Sequence, residues 1–90
     1  MSVSVFDTHV RTRDGRYLHF DVLIEGTDRE RAARHAREWM AERGVQQADV
    51  QQSQCLFCHS EPGNPEVDAA IARQGYFIIP LQGCQESGHE

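Results

Sequence analysis

The feature that most limits the fold is a turn near the N-terminus. Arg13-Asp14-Gly15-Arg16 separates Val3 to Thr12 from Tyr17 to Ile24, two stretches rich in β-branched and aromatic residues. An Asp-Gly pair between two such stretches is a strong β-hairpin signal. Register then decides which residues share a face, because a one-residue slip moves each side chain of a strand to the other side. A two-residue Asp14-Gly15 loop pairs Val10 with His19 and puts Asp7 and His9 among Leu18, Phe20, Val22 and Ile24. A three-residue loop, with Gly15 in the left-handed conformation, pairs Val10 with Leu18, Thr8 with Phe20 and Phe6 with Val22. The second register is expected, because it gathers Phe6, Val10, Leu18, Phe20, Val22 and Ile24 toward a core. It leaves Asp7, His9, His19 and Asp21 together on the opposite face.

Ninety residues supply material for one core and no more. After the hairpin, Thr27-Asp28-Arg29-Glu30 matches a capping box and Gly44 supplies a stop, so a helix is expected over Asp28 to Arg43. Its apolar stripe is Ala32, Ala33, Ala36, Trp39 and Met40. Val45 to Phe57 is Gln-rich and weakly periodic, yet Ala48, Val50 and Leu56-Phe57 fit a third strand. Asn64 before Pro65 reads as an N-cap followed by proline at the first helical position. The second helix then runs to Gln74, with Val67, Ala70 and Ile71 buried and Gly75 as its stop. Tyr76 to Leu81 closes the domain as a strand, with Pro80 at an edge or an end. The resulting fold class is α+β in the order ββαβαβ, a small mainly antiparallel sheet with two helices packed on one face. Residues 1–84 form this single domain and residues 85–90 a flexible tail.

Fourteen acidic residues against nine arginines, with no lysine, give a net charge of −5 with histidine neutral. Arg29, Arg31, Arg34 and Arg37 alternate with Glu30, Glu38 and Glu42 along the first helix, a solvated face and not the clustered positive surface that nucleic acid requires. The longest apolar runs, Val22-Leu23-Ile24 and Phe77-Ile78-Ile79, fall far short of a bilayer span. The N-terminus lacks the basic region, apolar run and cleavage site of an export signal. A cytoplasmic protein that binds neither nucleic acid nor membrane is expected. Three cysteines are an odd number for a disulfide framework, which favours free thiols or metal ligands.

Cys55-Leu56-Phe57-Cys58-His59 is the one segment with a chemical spacing. Two thiolates three residues apart can hold a tetrahedral zinc ion, and Cys84 is the natural third ligand. His59, His19 or His89 would complete the set. Against this stands the commoner fate of free cysteine, as a small buried apolar residue at a strand end. The same letters spell a c-type haem attachment motif, but such attachment belongs to exported proteins and Met40 lies on the core stripe. A redox dithiol would need Cys55 to open a helix, and Pro62-Gly63 follows too soon. Ser60 beside His59 makes no catalytic pair, because neighbours on an extended chain point apart.

Asp7, His9, His19 and Asp21 form a second constellation, able in principle to bind a metal or move protons. Alternating polar residues are also what a solvated sheet face looks like. His35 reads as a surface or boundary residue. The glycines occupy turns and caps, so no nucleotide-binding loop is present.

Several segments together resemble a small bacterial family, the domain of unknown function 2024. They are Phe6-Asp7-Thr8, His19-Phe20-Asp21-Val22, Trp39, Cys55 to Ser60, Gly75-Tyr76-Phe77-Ile78 and Gly83-Cys84, spread over nearly the whole length. The resemblance implies a compact α+β domain and no particular activity. It would carry over Asp7, His19, Asp21 and the Cys55 to His59 segment, whereas His9 stands where the family often has an aromatic residue. The expected role is a non-enzymatic binding or interaction module with structural thiols and no cofactor, acting on an unknown protein partner or on itself. The alternative is a zinc or thiol-redox site built on Cys55, Cys58, His59 and Cys84.

Overall fold

In the computed structural model, which describes residues 2–83, strands β1 (Val3–Thr12) and β2 (Tyr17–Glu25) form the expected hairpin. Val10 pairs with Leu18, Thr8 with Phe20 and Phe6 with Val22, the three-residue-loop register. Gly15 has φ +91° and every other positive-φ residue is also glycine, so Asp14 stays in an ordinary conformation and only the achiral residue enters the left-handed region.

Helix α1 spans Arg29–Glu42. Its N-cap is Asp28, whose carboxylate accepts from the Arg31 amide at 3.3 Å, one residue later than the Thr27-Glu30 box predicts. Aspartate caps as well as threonine and adds a negative charge at the positive end of the helix dipole. Ala32, Ala36, Trp39 and Met40 pack on Phe6, Val10, Leu18, Phe20, Val22 and Ile24. Phe20 is fully buried, with its ring centroid 4.7 Å from that of Trp39. Burying an aromatic side chain of this kind contributes about 1.5–3 kcal/mol. His35 is buried too, stacked 4.7 Å from the Tyr76 ring. Its place beside the closing strand could not be read from its own helix.

A short 3-10 helix over Gln47–Asp49 precedes strand β3, Val50–Glu61. The sequence reading began this strand at Val45 and ended it at Phe57, whereas it starts at Val50 and runs on through Cys58 and His59 to Glu61. The whole segment is strand, because β1 offers pairing partners along its full length, from Val3 opposite Glu61 to Thr12 opposite Val50. A bulge hid the periodicity: Val5 pairs with His59 and Phe6 with Phe57, leaving Cys58 as the extra residue.

Helix α2 spans Pro65–Gln74, capped by Asn64 at the Val67 amide (3.0 Å) and stopped by Gly75 as expected. Strand β4, Phe77–Gln82, pairs with β2. One antiparallel sheet of order β3-β1-β2-β4 results. The sequence reading placed both helices over one face, and α1 covers that face. The Val67 and Ile71 stripe of α2 reaches Val3, Val5, Leu23 and Phe77, and strand alternation puts Val3, Val5 and Leu23 on the side opposite Phe6 and Val22. Among the described residues, no helix is long and apolar enough to cross a membrane. The expected tail, residues 85–90, lies outside the described residues.

Candidate functional site

Beyond Val5 and Leu23, where α2 ends its cover, the same sheet face opens. Asp7 and His9 project from β1, and Asp21 and His19 stand directly across from them on β2. The ionised Asp7 carboxylate can only accept hydrogen bonds, so both imidazoles donate to it. His9 Nε2–H donates to Oδ2 at 2.8 Å and His19 Nε2–H to Oδ1 at 2.5 Å. The two rings stack with centroids 4.2 Å apart and planes 13° from parallel. On its far side, His9 Nδ1 is hydrogen-bonded to the Tyr17 hydroxyl. Side-chain exposure of 33% for Asp7, 32% for His9 and 25% for His19 shows that the cluster is partly withdrawn from water, unlike freely solvated surface groups.

The two carboxyl groups respond in opposite directions. Burial would raise the Asp7 carboxyl, but hydrogen bonds from His19 and His9 and their charges outweigh it and hold Asp7 below the ordinary carboxylate range. Asp21 is raised, first by burial, then by the Asp7 charge and by the hydrogen bond between the two side chains.

Apolar side chains frame this row. Leu56 on β3 is opposite Asp7 and Ile79 on β4 is opposite Asp21, and they are 47% and 36% exposed. One row further, His9, Arg11, Tyr17, Gln52 and Gln54 line an open depression of about 250 Å³. Arg11 lies over the Tyr17 ring at 5.2 Å. Tyr17 is the participant that sequence reasoning missed. Its signal was available, since it stands two residues before His19 and therefore on the same face.

The structure separates the cysteine segment. Cys55 faces α1, half-buried, with Sγ 3.6 Å from the Thr8 hydroxyl. Burial pushes its thiol up. Cys58 is exposed, its Sγ 3.3 Å from His59 Nδ1, and His59 Nε2 is 3.2 Å from Glu61 Oε2. Neighbouring side chains meet here because Cys58 is the bulged residue. The buried-thiol reading therefore fits Cys55 and not Cys58. Among the described residues, the group of potential ligand atoms lying within 4.8 Å of one another is Asp7, His9 and His19, without Cys55, Cys58 or His59. Cys84 and His89 lie outside the described residues.

No curated protein matches the chain. A solved structure does: the NMR structure of protein NE1680 from Nitrosomonas europaea is 39% identical, aligns over 94% of this chain and 100% of its own, and superposes with a TM-score of 0.78. The profile of the domain of unknown function DUF2024 matches residues 1–81, and the chain therefore belongs to the DUF2024 family.

Proposed function

We propose that this domain is a binding module whose ligand site is the open sheet face centred on Asp7. The observation that carries the reading is the hydrogen-bonded set of Asp7, His9, His19 and Tyr17, with Asp21 directly across from Asp7, on a stretch of the sheet face that lies outside the clusters packed under α1 and α2. A face kept merely for solubility has no need to draw two carboxyl groups together. Such an arrangement raises Asp21 and opposes folding at neutral pH. Leu56 and Ile79 add apolar contact at either end of the row, and the depression beside His9 offers amides, a phenol and a guanidinium. A few convergent polar groups next to apolar surface are the usual make-up of a small-ligand site.

The test is a ¹⁵N NMR titration of the full chain with inorganic phosphate, citrate and the chlorides of divalent metals, each separately. At least one should shift the amides of Asp7, His9, Tyr17 and His19 in a saturable way. Silence of this face toward the whole panel, or shifts confined to the separate groove lined by Trp39, Arg43, Ala69 and Arg73, would overturn the reading.

A further inference from the structure

We infer that Asp7, His9 and His19 bind a single divalent transition-metal ion, an assignment that rests on the open face being the binding surface. Two imidazole nitrogens and one carboxylate oxygen converge there, all within 4.8 Å of one another. That donor set suits zinc or its transition-metal neighbours. Calcium and magnesium call for oxygen ligands throughout. The donors stand on β1 and β2, the two central strands of the sheet, so the backbone holds them in register: Asp7 and His9 two residues apart on one strand, His19 directly opposite His9.

The hydrogen-bonded arrangement is close to the geometry a metal requires. Ligand atoms about 2.0–2.1 Å from a tetrahedral ion lie roughly 3.3 Å from each other. The Asp7–His19 and Asp7–His9 separations are 2.5 and 2.8 Å, so the ion would enter where the Nε2 protons now sit once side-chain rotations widen each by less than about 1 Å and tilt the two imidazoles out of their near-parallel stack, turning both lone pairs onto it. Each neutral imidazole then carries its proton on Nδ1 and its Nε2 lone pair on the metal. For His9 this change has a partner in place. The Tyr17 hydroxyl, whose O–H donates to Nδ1 in the metal-free state, accepts through its oxygen from Nδ1–H once the metal is bound, as outer-shell partners of metal-bound histidines do. Three protein ligands leave at least one coordination position for water or a ligand, on the side open to solvent.

The experiment is calorimetric titration of zinc into the full, tag-free chain after chelator treatment, with cobalt(II) absorption as a second readout. One ion per chain should bind, and Asp7→Asn, His9→Gln and His19→Gln should each weaken it by at least about tenfold while circular dichroism shows the fold intact. Tyr17→Phe, which keeps the ring, should weaken it by about tenfold through its hydrogen bond alone. A triple Cys55→Ser, Cys58→Ser, Cys84→Ser variant should bind as the parent does, and cobalt should show no thiolate charge-transfer band. Undetectable binding, loss of binding in the cysteine variant, or indifference to all three ligand substitutions would overturn the assignment. If zinc fails while phosphate or citrate still shifts the open face, the metal site falls and the binding surface stands. If every probe fails, both fall.

Discussion

The face assignment of Asp7 and His9 depends on the hairpin loop, and Gly15→Ala tests it directly. Gly15 has φ +91°, and a Cβ placed on it would meet nothing within 4 Å, so the substitution adds conformational strain without a clash. Holding an L-residue in the left-handed region costs about 1–2 kcal/mol. Urea unfolding, followed by the single tryptophan, Trp39, should give a midpoint lower by about 0.5–1 M at an unchanged slope. Melting should fall by about 4–8 °C for each kcal/mol lost. Gly15→Asn should lose less, because asparagine visits this region more readily. Asp14→Ala is the control. Asp14 has a negative φ, so that variant adds no backbone strain, forfeits only the interactions of its exposed carboxylate with Thr12 and Arg16, and should shift the midpoint by less than half as much. A two-residue Asp-Gly loop is a type I′ turn, which needs left-handed geometry at both positions. Equal losses at Asp14 and Gly15 would therefore refute the register and move Asp7 and His9 to the core face.

Further predictions concern the core, the thiols and the histidines. Phe20→Ala removes a fully buried ring and should cost about 3–5 kcal/mol. A domain of this length commands about 5–13 kcal/mol in total, so the melting temperature should fall by at least about 12 °C. In a Cys84→Ser background, iodoacetamide should label Cys58 quickly and Cys55 slowly, with mass spectrometry locating the adduct; equal rates would contradict the burial of Cys55. Because burial raises the Cys55 thiol above its ordinary value of 9.0, the folded chain holds that proton more tightly than the unfolded chain. Stability should therefore decline as pH climbs above that value, and Cys55→Ala should flatten the decline. Protonating all five histidines would bring the net charge from −5 to zero, so turbidity should rise between pH 8 and pH 5; a flat trace would rule this out.

The hairpin was legible because loop chemistry and alternation agree: Asp14-Gly15 sets the turn and the apolar residues sort onto one face only in the observed register. Helix α2 was legible from Asn64, Pro65 and Gly75, each of which has one common use in that order. Strand β3 was obscured for a physical reason. An edge strand with both faces largely exposed carries little hydrophobic alternation, and the bulge at Cys58 shifts the phase of what remains. That loss of phase also misled the reading of the cysteines, since Cys55-x-x-Cys58 spacing suggests convergence in a loop and divergence in a strand. The polar cluster was visible as four residues on one face. What the sequence could not show was that Asp7 accepts from both imidazoles at once, or that Tyr17 closes the chain of hydrogen bonds, because both depend on side-chain rotation.

Asp21 offers the clearest measure of whether this face is kept for folding or for binding. Its neighbours of consequence are Asp7, His19 and His59, and burial together with the Asp7 charge outweighs the attraction of the two histidines. A carboxyl whose folded value lies above its unfolded value of 3.8 contributes stability that is complete below that pH and is lost as pH rises through the folded value. Asp7 has the opposite sign: its contribution is present above 3.8 and lost as pH falls through its lowered folded value. In metal-free buffer, Asp21→Asn should thus raise the melting temperature at pH 7, and the gap to the parent should shrink toward zero as the pH approaches 4. Asp7→Asn should lower it at pH 7, and the double variant should show coupling, since part of the gain at Asp21 comes from the Asp7 charge. Thermal melts from pH 7 to pH 4 decide the matter. A loss of stability in Asp21→Asn at pH 7 would mean that the carboxyl pair helps the fold, and the open face would then need no ligand to explain it. A gain means that the chain is less stable with Asp21 than without it, which is the expected signature of a residue retained for what the face binds.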